Sequence, residues 1–210
     1  RNSGGFALYG GPHILNLVTE VATRGLKAVR FQKFNNHIRL RPEALGARLE
    51  LMRLVDDACT IPASQVPLGL QCDMRLFRDS LLPTLNTIAA GPGQGTHFLP
   101  MAFPEGSPMH PAYGAGHATV AGACVTILKA FFATSAVLAA GPGGGLFKRY
   151  ESGDTPVAFR APDLGSAADV LVAYTPDKFL TLEGEHNKLA ANISIGRDMA
   201  GVHFFSDYYD

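Results

Sequence analysis

The chain has 210 residues, 47% apolar content, 17% charged content and a formal net charge of zero. That is enough chain to bury a substantial core as one domain, with ordinary globular composition. The charge balance gives no reason to expect nucleic acid or an anionic membrane as partner.

Pro12, after Gly10-Gly11, suits the first position of a helix. Ile14, Leu15, Leu17, Val18, Val21, Leu26 and Val29 then follow helical spacing to about Phe34. Pro42 disfavours helix at Arg41 and starts a second helix running to about Val55. Asp73–Ala90 is a third helical candidate. Gly91–Tyr113, rich in Gly and Pro, is a loop. A helix is expected from Gly114–His117 to about Ala139, with Ala118, Ala121, Gly122 and Ala123 allowing close packing, and Gly141–Gly145 ending it. Phe147–Asp177 reads as irregular, with a short helix around Ala167–Ala173. Leu182–Met199 is the last helix, broken by Gly201. Strand-like alternation is almost absent, so the expected fold is an all-α bundle with long functional loops.

Cys124 lies in an apolar run and reads as a small buried hydrophobe. Cys59 and Cys72 leave pairing and redox compartment open. The apolar run Ala118–Ala140 is interrupted by Lys129, too early for a membrane span of roughly 20 residues. No leader is visible. The chain begins without Met and stops shortly after His203, which reads as the C-terminal portion of a longer helical domain.

Three separated stretches carry the chemistry. They are Lys33-Phe-Asn-Asn-His-Ile-Arg-Leu-Arg41-Pro42, His110-Pro-Ala-Tyr-Gly-Ala-Gly116-His117 and Arg197-Asp-Met-Ala-Gly-Val-His203. Lys33, Arg41 and Arg197 suit the oxygens of a tetrahedral oxyanion. Gly116 opens a helix whose N–H groups and dipole favour an anion. His117 beside such an anion is placed for proton transfer, and His203 for metal ligation or nucleophilic attack. His110 leads into the same loop. The plainer alternatives are a surface Lys and Arg, a packed His at a turn, and a helix-terminal Arg with a half-buried His. All three would have to hold at once. His13, His37, His97 and His186 have no implicating spacing and read as structural. No Ser-His-Asp arrangement, P-loop, paired-cysteine zinc pattern or EF-hand loop is present.

The stretches Phe31–Gly46, Ala102–Phe132 and Leu180–Asp207 resemble the vanadium-dependent haloperoxidases of the red-algal bromoperoxidase type. The same constellation occurs in type 2 phosphatidic-acid phosphatases and bacterial acid phosphatases, because vanadate and phosphate share shape and charge. The resemblance implies a helix bundle holding vanadate, with His203 as the single protein ligand to vanadium. It implies that Lys33, Arg41, Arg197 and the Gly116 N–H bond the vanadate oxygens. It also implies His117 as the acid–base residue and His110 in halide handling. Lys33 is the group expected to polarise bound peroxide. The implied reaction oxidises bromide with hydrogen peroxide to hypobromous acid, which halogenates organic acceptors. A phosphomonoesterase on the same residues, with His203 as nucleophile, is the alternative; an inactive oxyanion-binding module is another. Members of the family are longer and form homo-oligomers, and an extracellular or cell-wall setting is compatible. One position departs: the residue before Gly116 is usually Ser, and here it is Ala115, which has no hydroxyl to donate.

Overall fold

A computed structural model describes residues 4–58, 80–93, 95–163 and 170–208. The described part is mainly helical: α1 Gly11–Gln32, α2 Pro42–Ala58, α3 Leu82–Ala90, α4 Gly116–Phe131 and α5 Leu182–Met199. Short strands β1 Val137–Ala139, β2 Leu146–Lys148, β3 Ala158–Arg160 and β4 Val172–Tyr174 complete it. The chain divides into two compact units, one of residues 1–27 and 116–194, the other of residues 28–115 and 195–210.

In the first unit, α1 and α4 pack against each other at Gly25. A Cβ there would lie 3.5 Å from Ala123 and 3.6 Å from Thr119, ordinary contact and no more. The Cys124 thiol reaches the Val18 carbonyl at 3.8 Å, but the residue is half-buried and not fully buried as expected. Tyr9 stacks on Phe131 at 5.1 Å, and His13 meets the same ring edge-on. The unit's apolar interior comprises Ala121, Val125, Val137, Ala139, Val157 and Ala158.

Two expectations are corrected here. The helix from Gly116 ends at Phe131, and Val137–Ala139 is a strand paired antiparallel with Leu146–Lys148. Pro142-Gly143 makes the intervening turn: the Gly144 N–H reaches the Gly141 carbonyl at 3.0 Å, and Gly143 has φ +80°. Proline followed by a glycine of positive φ is the pattern of a type II turn. The glycines therefore reverse a ribbon instead of merely stopping a helix. Likewise Val172–Tyr174, which overlaps the end of the short helix expected around Ala167–Ala173, pairs with Ala158–Arg160 as a second ribbon. Three-residue strands are too short to show an alternation along the sequence. Leu164–Asp169 lie outside the described residues, as do Cys59, Cys72 and Asp73–Asp79 of the third helical candidate.

The α5 boundary matches the expected one. Thr181 caps it, its Oγ1 accepting the Gly184 N–H at 3.0 Å, and Glu183 and Glu185 sit in the first turn where the helix dipole favours them.

The second unit is built around α2 and the loop 91–115. Its apolar interior is Val29, Leu49, Met52, Ala112, Ala115, Ala200 and Val202. Glu43, in the first turn of α2, accepts the Ser107 N–H at 2.6 Å. Further along α2, buried Glu50 accepts the His97 backbone N–H at 2.9 Å and faces His97 Nδ1 at 3.2 Å. Arg53 binds the other Glu50 oxygen at 2.7 Å. Two α2 carboxylates thus hold two stretches of the loop that carries His110, and His97 has a structural place, as expected.

Candidate oxyanion site

Local backbone devices bring the site's side chains inward. At its C-terminal end α1 widens into a π turn over Lys33–His37. Such turns concentrate at functional sites because the extra residue re-aims a side chain. Here it leaves Lys33 only 1% exposed. Ile38 closes the turn with φ +38°, and its N–H returns to the Lys33 carbonyl at 3.1 Å. A β-branched residue at positive φ is strained, and strain of this kind gathers where function requires a fixed geometry. Arg41 then precedes Pro42, and its carbonyl accepts the Leu45 N–H at 3.0 Å as the first bond of α2.

Gly201 performs the corresponding turn at the end of α5. It has φ +76°, and a Cβ there would lie 2.7 Å from the Pro100 carbonyl oxygen. No other residue fits both constraints. The chain reverses, Val202 is fully buried, and His203 enters the interior at 5% exposure.

Arg41 is the hub. Its Nε donates to the His110 carbonyl at 2.8 Å, and Nη1 donates to the Val202 carbonyl at 2.8 Å. Nη1 also reaches His203 Nε2 at 3.0 Å, and Nη2 reaches His110 Nδ1 at 2.9 Å. Lys33 Nζ meets the same His110 nitrogen at 3.1 Å. The Pro111 carbonyl also lies 3.3 Å from this nitrogen, but the two cationic donors are closer and favour a lone pair there, which assigns the His110 proton to Nε2. Burial, followed by the charge of Lys33, pushes the His110 pKa down, which keeps it neutral.

His203 has the opposite tautomer. Its Nδ1 faces Asp207 Oδ2 at 3.0 Å, and a carboxylate oxygen only accepts. The proton is therefore on Nδ1, and the lone pair on Nε2 faces Arg41. Burial lowers the His203 pKa, and the Arg41 charge adds to this against the opposing hydrogen bond from Asp207. A neutral imidazole fixed through Nδ1 to a carboxylate, with Nε2 presented, is the usual form of a metal-ligating or nucleophilic histidine. Burial pushes Asp207 up, but the His203 and Phe204 hydrogen bonds and the Arg39 charge outweigh it and hold the carboxyl below its ordinary value.

The electrostatic balance points to an anion. Lys33 and Arg41 are both buried, and burial followed by the neighbouring Arg41 lowers the Lys33 pKa to about 8. Burial likewise lowers that of Arg41. Arg197 adds its charge to both, and its Nε is buried without a hydrogen-bond partner. Buried charge costs free energy unless it is compensated. Asp207, the buried acid of this cluster, is already engaged by Arg39 and His203. An oxyanion among these donors would supply the compensation, so the residues fit a vanadate or phosphate group.

Of the expected site residues, Lys33, Arg41, His110 and His203 are joined by hydrogen bonds, and Arg197 joins them electrostatically. Gly116 and His117 open α4, in the other unit, and His117 is exposed. Ala115, directly before them in the chain, is buried, and its N–H donates to the Asp207 carbonyl at 2.8 Å. The sequence reading missed Asp207 and gave Arg39 no role apart from the other basic residues around it. The available signal was spacing: Asp207 stands four residues after His203, within reach across one helical turn. Among the described residues, no group of three His, Cys, Asp or Glu side chains could hold a metal, and no helix is long and apolar enough to cross a membrane.

No protein-family model matches the sequence. Among curated proteins, the chain is 44% identical over 213 residues to a vanadium-dependent bromoperoxidase of Corallina pilulifera. It is 42% identical over 212 residues to one from Corallina officinalis, and 34% identical over 209 residues to one from Ascophyllum nodosum. These alignments take in 97–100% of this chain but 32% of each relative, so the chain spans about a third of their length. Among solved structures, it matches the homohexameric second vanadate-dependent bromoperoxidase of Ascophyllum nodosum with a TM-score of 0.57 and 28% identity. That match covers 98% of this chain and 33% of that one.

Proposed function

We propose, starting from the similarity of this chain to about a third of the length of vanadium-dependent bromoperoxidases, that it carries the vanadate site of a haloperoxidase. The reaction assigned is the two-electron oxidation of bromide by hydrogen peroxide. Bromide, peroxide and one proton give hypobromous acid and water, and the hypobromous acid halogenates organic acceptors.

The observation that carries this reading is the pair of contacts on His203. Asp207 fixes Nδ1 and Arg41 faces Nε2, so one nitrogen lone pair is presented beside buried cations. Vanadate, when bound, supplies a Lewis-acidic centre that activates peroxide without changing its own oxidation state. His203 is its single protein ligand. Lys33, Arg41 and Arg197 hold its oxygens and take up developing negative charge. Lys33 is the strongest candidate for that second role, because its depressed pKa makes it a ready hydrogen-bond and proton donor. Neutral His110 keeps its Nε2–H as a donor for an incoming halide. His117 and the Gly116 N–H are assigned by motif, as proton carrier and oxyanion donor respectively. Association into homo-oligomers, as in the hexameric relative, belongs to the same proposal.

The test is turnover by the full chain under two conditions. Vanadate with peroxide and bromide should brominate a dye, and a phosphate ester without vanadate should remain intact. Phosphate-ester hydrolysis without bromination would assign the site to phosphomonoester chemistry instead. Anion binding without either turnover would leave an oxyanion-binding module.

A further inference from the structure

Arg39 is a charged residue beside the site to which the reaction above gives no task. It lies two positions before Arg41, yet its side chain takes a different course. Nη1 reaches Asp207 Oδ1 at 2.7 Å and Ser206 Oγ at 2.9 Å. The guanidinium lies over the Phe204 ring, 4.4 Å from its centroid. The Arg39 carbonyl accepts the Ala112 N–H at 2.9 Å. One residue therefore grips three members of the turn that follows His203 and anchors the loop that follows His110.

The grip decides the orientation of Asp207. Both carboxylate oxygens are in use. Oδ2 receives His203 Nδ1 and the Phe204 N–H, while Oδ1 receives Arg39. The Asp207 side chain is wholly buried, so water cannot replace a lost partner at little cost. A carboxylate held at one oxygen only can rotate about its χ2 bond, and the imidazole follows it.

We propose that Arg39 is a positioning residue: it locks Asp207 so that His203 Nε2 is aimed at the metal centre of the bound oxyanion. The inference rests on the vanadate reading given above. It goes beyond that reading by naming what sets the direction of the ligand bond. A directed bond from Nε2 is needed for vanadate and not for phosphate, which the cations alone can hold. Arg39 should therefore govern the preference between the two anions more than the affinity for oxyanions in general.

Calorimetric titration of the full chain with orthovanadate and with inorganic phosphate tests this. The parent should favour vanadate, and His203→Ala should abolish that preference. Arg39→Met should weaken vanadate binding about tenfold or more, the usual cost of removing a group that orients a metal ligand. Phosphate affinity should stay within about twofold. Arg39→Lys keeps the charge but not the two-acceptor grip or the flat stack, so it should lose part of the preference. Equal weakening of both anions in Arg39→Met would reduce the residue to general support and overturn the proposal. So would full retention of the preference in either variant, and Arg39→Lys carries the test if Arg39→Met does not fold. A parent without any preference for vanadate would instead defeat the underlying reading, and this inference with it.

Discussion

The two units handle charge in opposite ways. In residues 28–115 and 195–210, Lys33, Arg41, Glu50, His97, His203 and Asp207 are all buried. Among the described residues of 1–27 and 116–194, the buried polar residue is Ser194, whose Oγ donates to the Ala190 carbonyl at 2.9 Å as an ordinary helix contact. Charge pairs there are exposed or half-exposed, as with Lys148 between Glu151 and Asp154, Arg160 with Asp163, and Lys188 with Glu185. Exposed pairs contribute little to stability, whereas buried charges are expensive and persist where something uses them. The contrast shows where the buried charge of the described residues is concentrated.

The sharpest way to break the contrast is to remove the hub. Arg41→Met should lower phosphate or vanadate affinity by about a hundredfold or more, since it deletes several charge-assisted donors at once. His203→Ala should abolish vanadium retention, measured by elemental analysis. His117→Ala should keep bound vanadium but lose bromination. Equal vanadium retention in the last two variants would contradict their assigned roles.

A second effect concerns pH. Lys33 titrates near 8 in the folded chain against 10.5 in the unfolded one. Its folded value is depressed, so between these limits the unfolded state binds more protons and stability rises with pH. Below about pH 8 the full cost of the buried charge applies, of order 3 kcal/mol from the size of the shift. Inorganic phosphate should relieve it. The rise in melting temperature on adding phosphate should be large at pH 7 and should shrink above pH 9. A rise that is independent of pH would place the anion away from Lys33.

Glu50→Ala tests the same unit away from the oxyanion. Hydrogen bonds from Arg53, with His97 next, hold this buried carboxyl at about 2. Its stabilisation is complete above the unfolded value of 4.5 and is lost as pH falls through about 2. Substitution should cost about 2–3 kcal/mol by urea unfolding at pH 7, because the loop at His97 loses its anchor. The matching control in the other unit, Lys148→Ala, should leave the unfolding midpoint unchanged.

A smaller effect is expected at position 115. Ala115→Ser adds a donor directly before Gly116, and one charge-assisted hydrogen bond corresponds to about a tenfold gain in vanadate affinity. Vanadate titration of the apo forms, followed by dye bromination, measures it. If the Ser variant needs as much vanadate as the parent, position 115 does not face the anion.

Helix positions were legible wherever a period and a terminator coincided. Pro12 and Pro42 start α1 and α2, and Leu182–Met199 runs from Thr181 to the turn at Gly201 as the pattern requires. The apolar stretch after Gly116 misled at its far end. Composition alone gives helix and buried strand the same appearance, and the Pro142-Gly143 turn with its partner strand decided the matter for Val137–Ala139. The cationic and imidazole residues of the site were legible one by one, because each type has few uses at those spacings. Their division of labour was not. Which nitrogen of His110 and of His203 carries the proton depends on what stands within hydrogen-bond distance. Those partners are Lys33 and Arg41, remote in sequence from the rings they face, and Asp207, four residues from His203. Arg39 shows the same limit from the other side. In sequence it is one more basic residue near Arg41. The π turn at Lys33–His37 and the left-handed Ile38 direct it to Asp207 while Arg41 faces the imidazoles. Residue type and spacing determined which chemistry this chain can carry. Side-chain direction is set by backbone turns and burial, so only the tertiary structure could assign each group its partner.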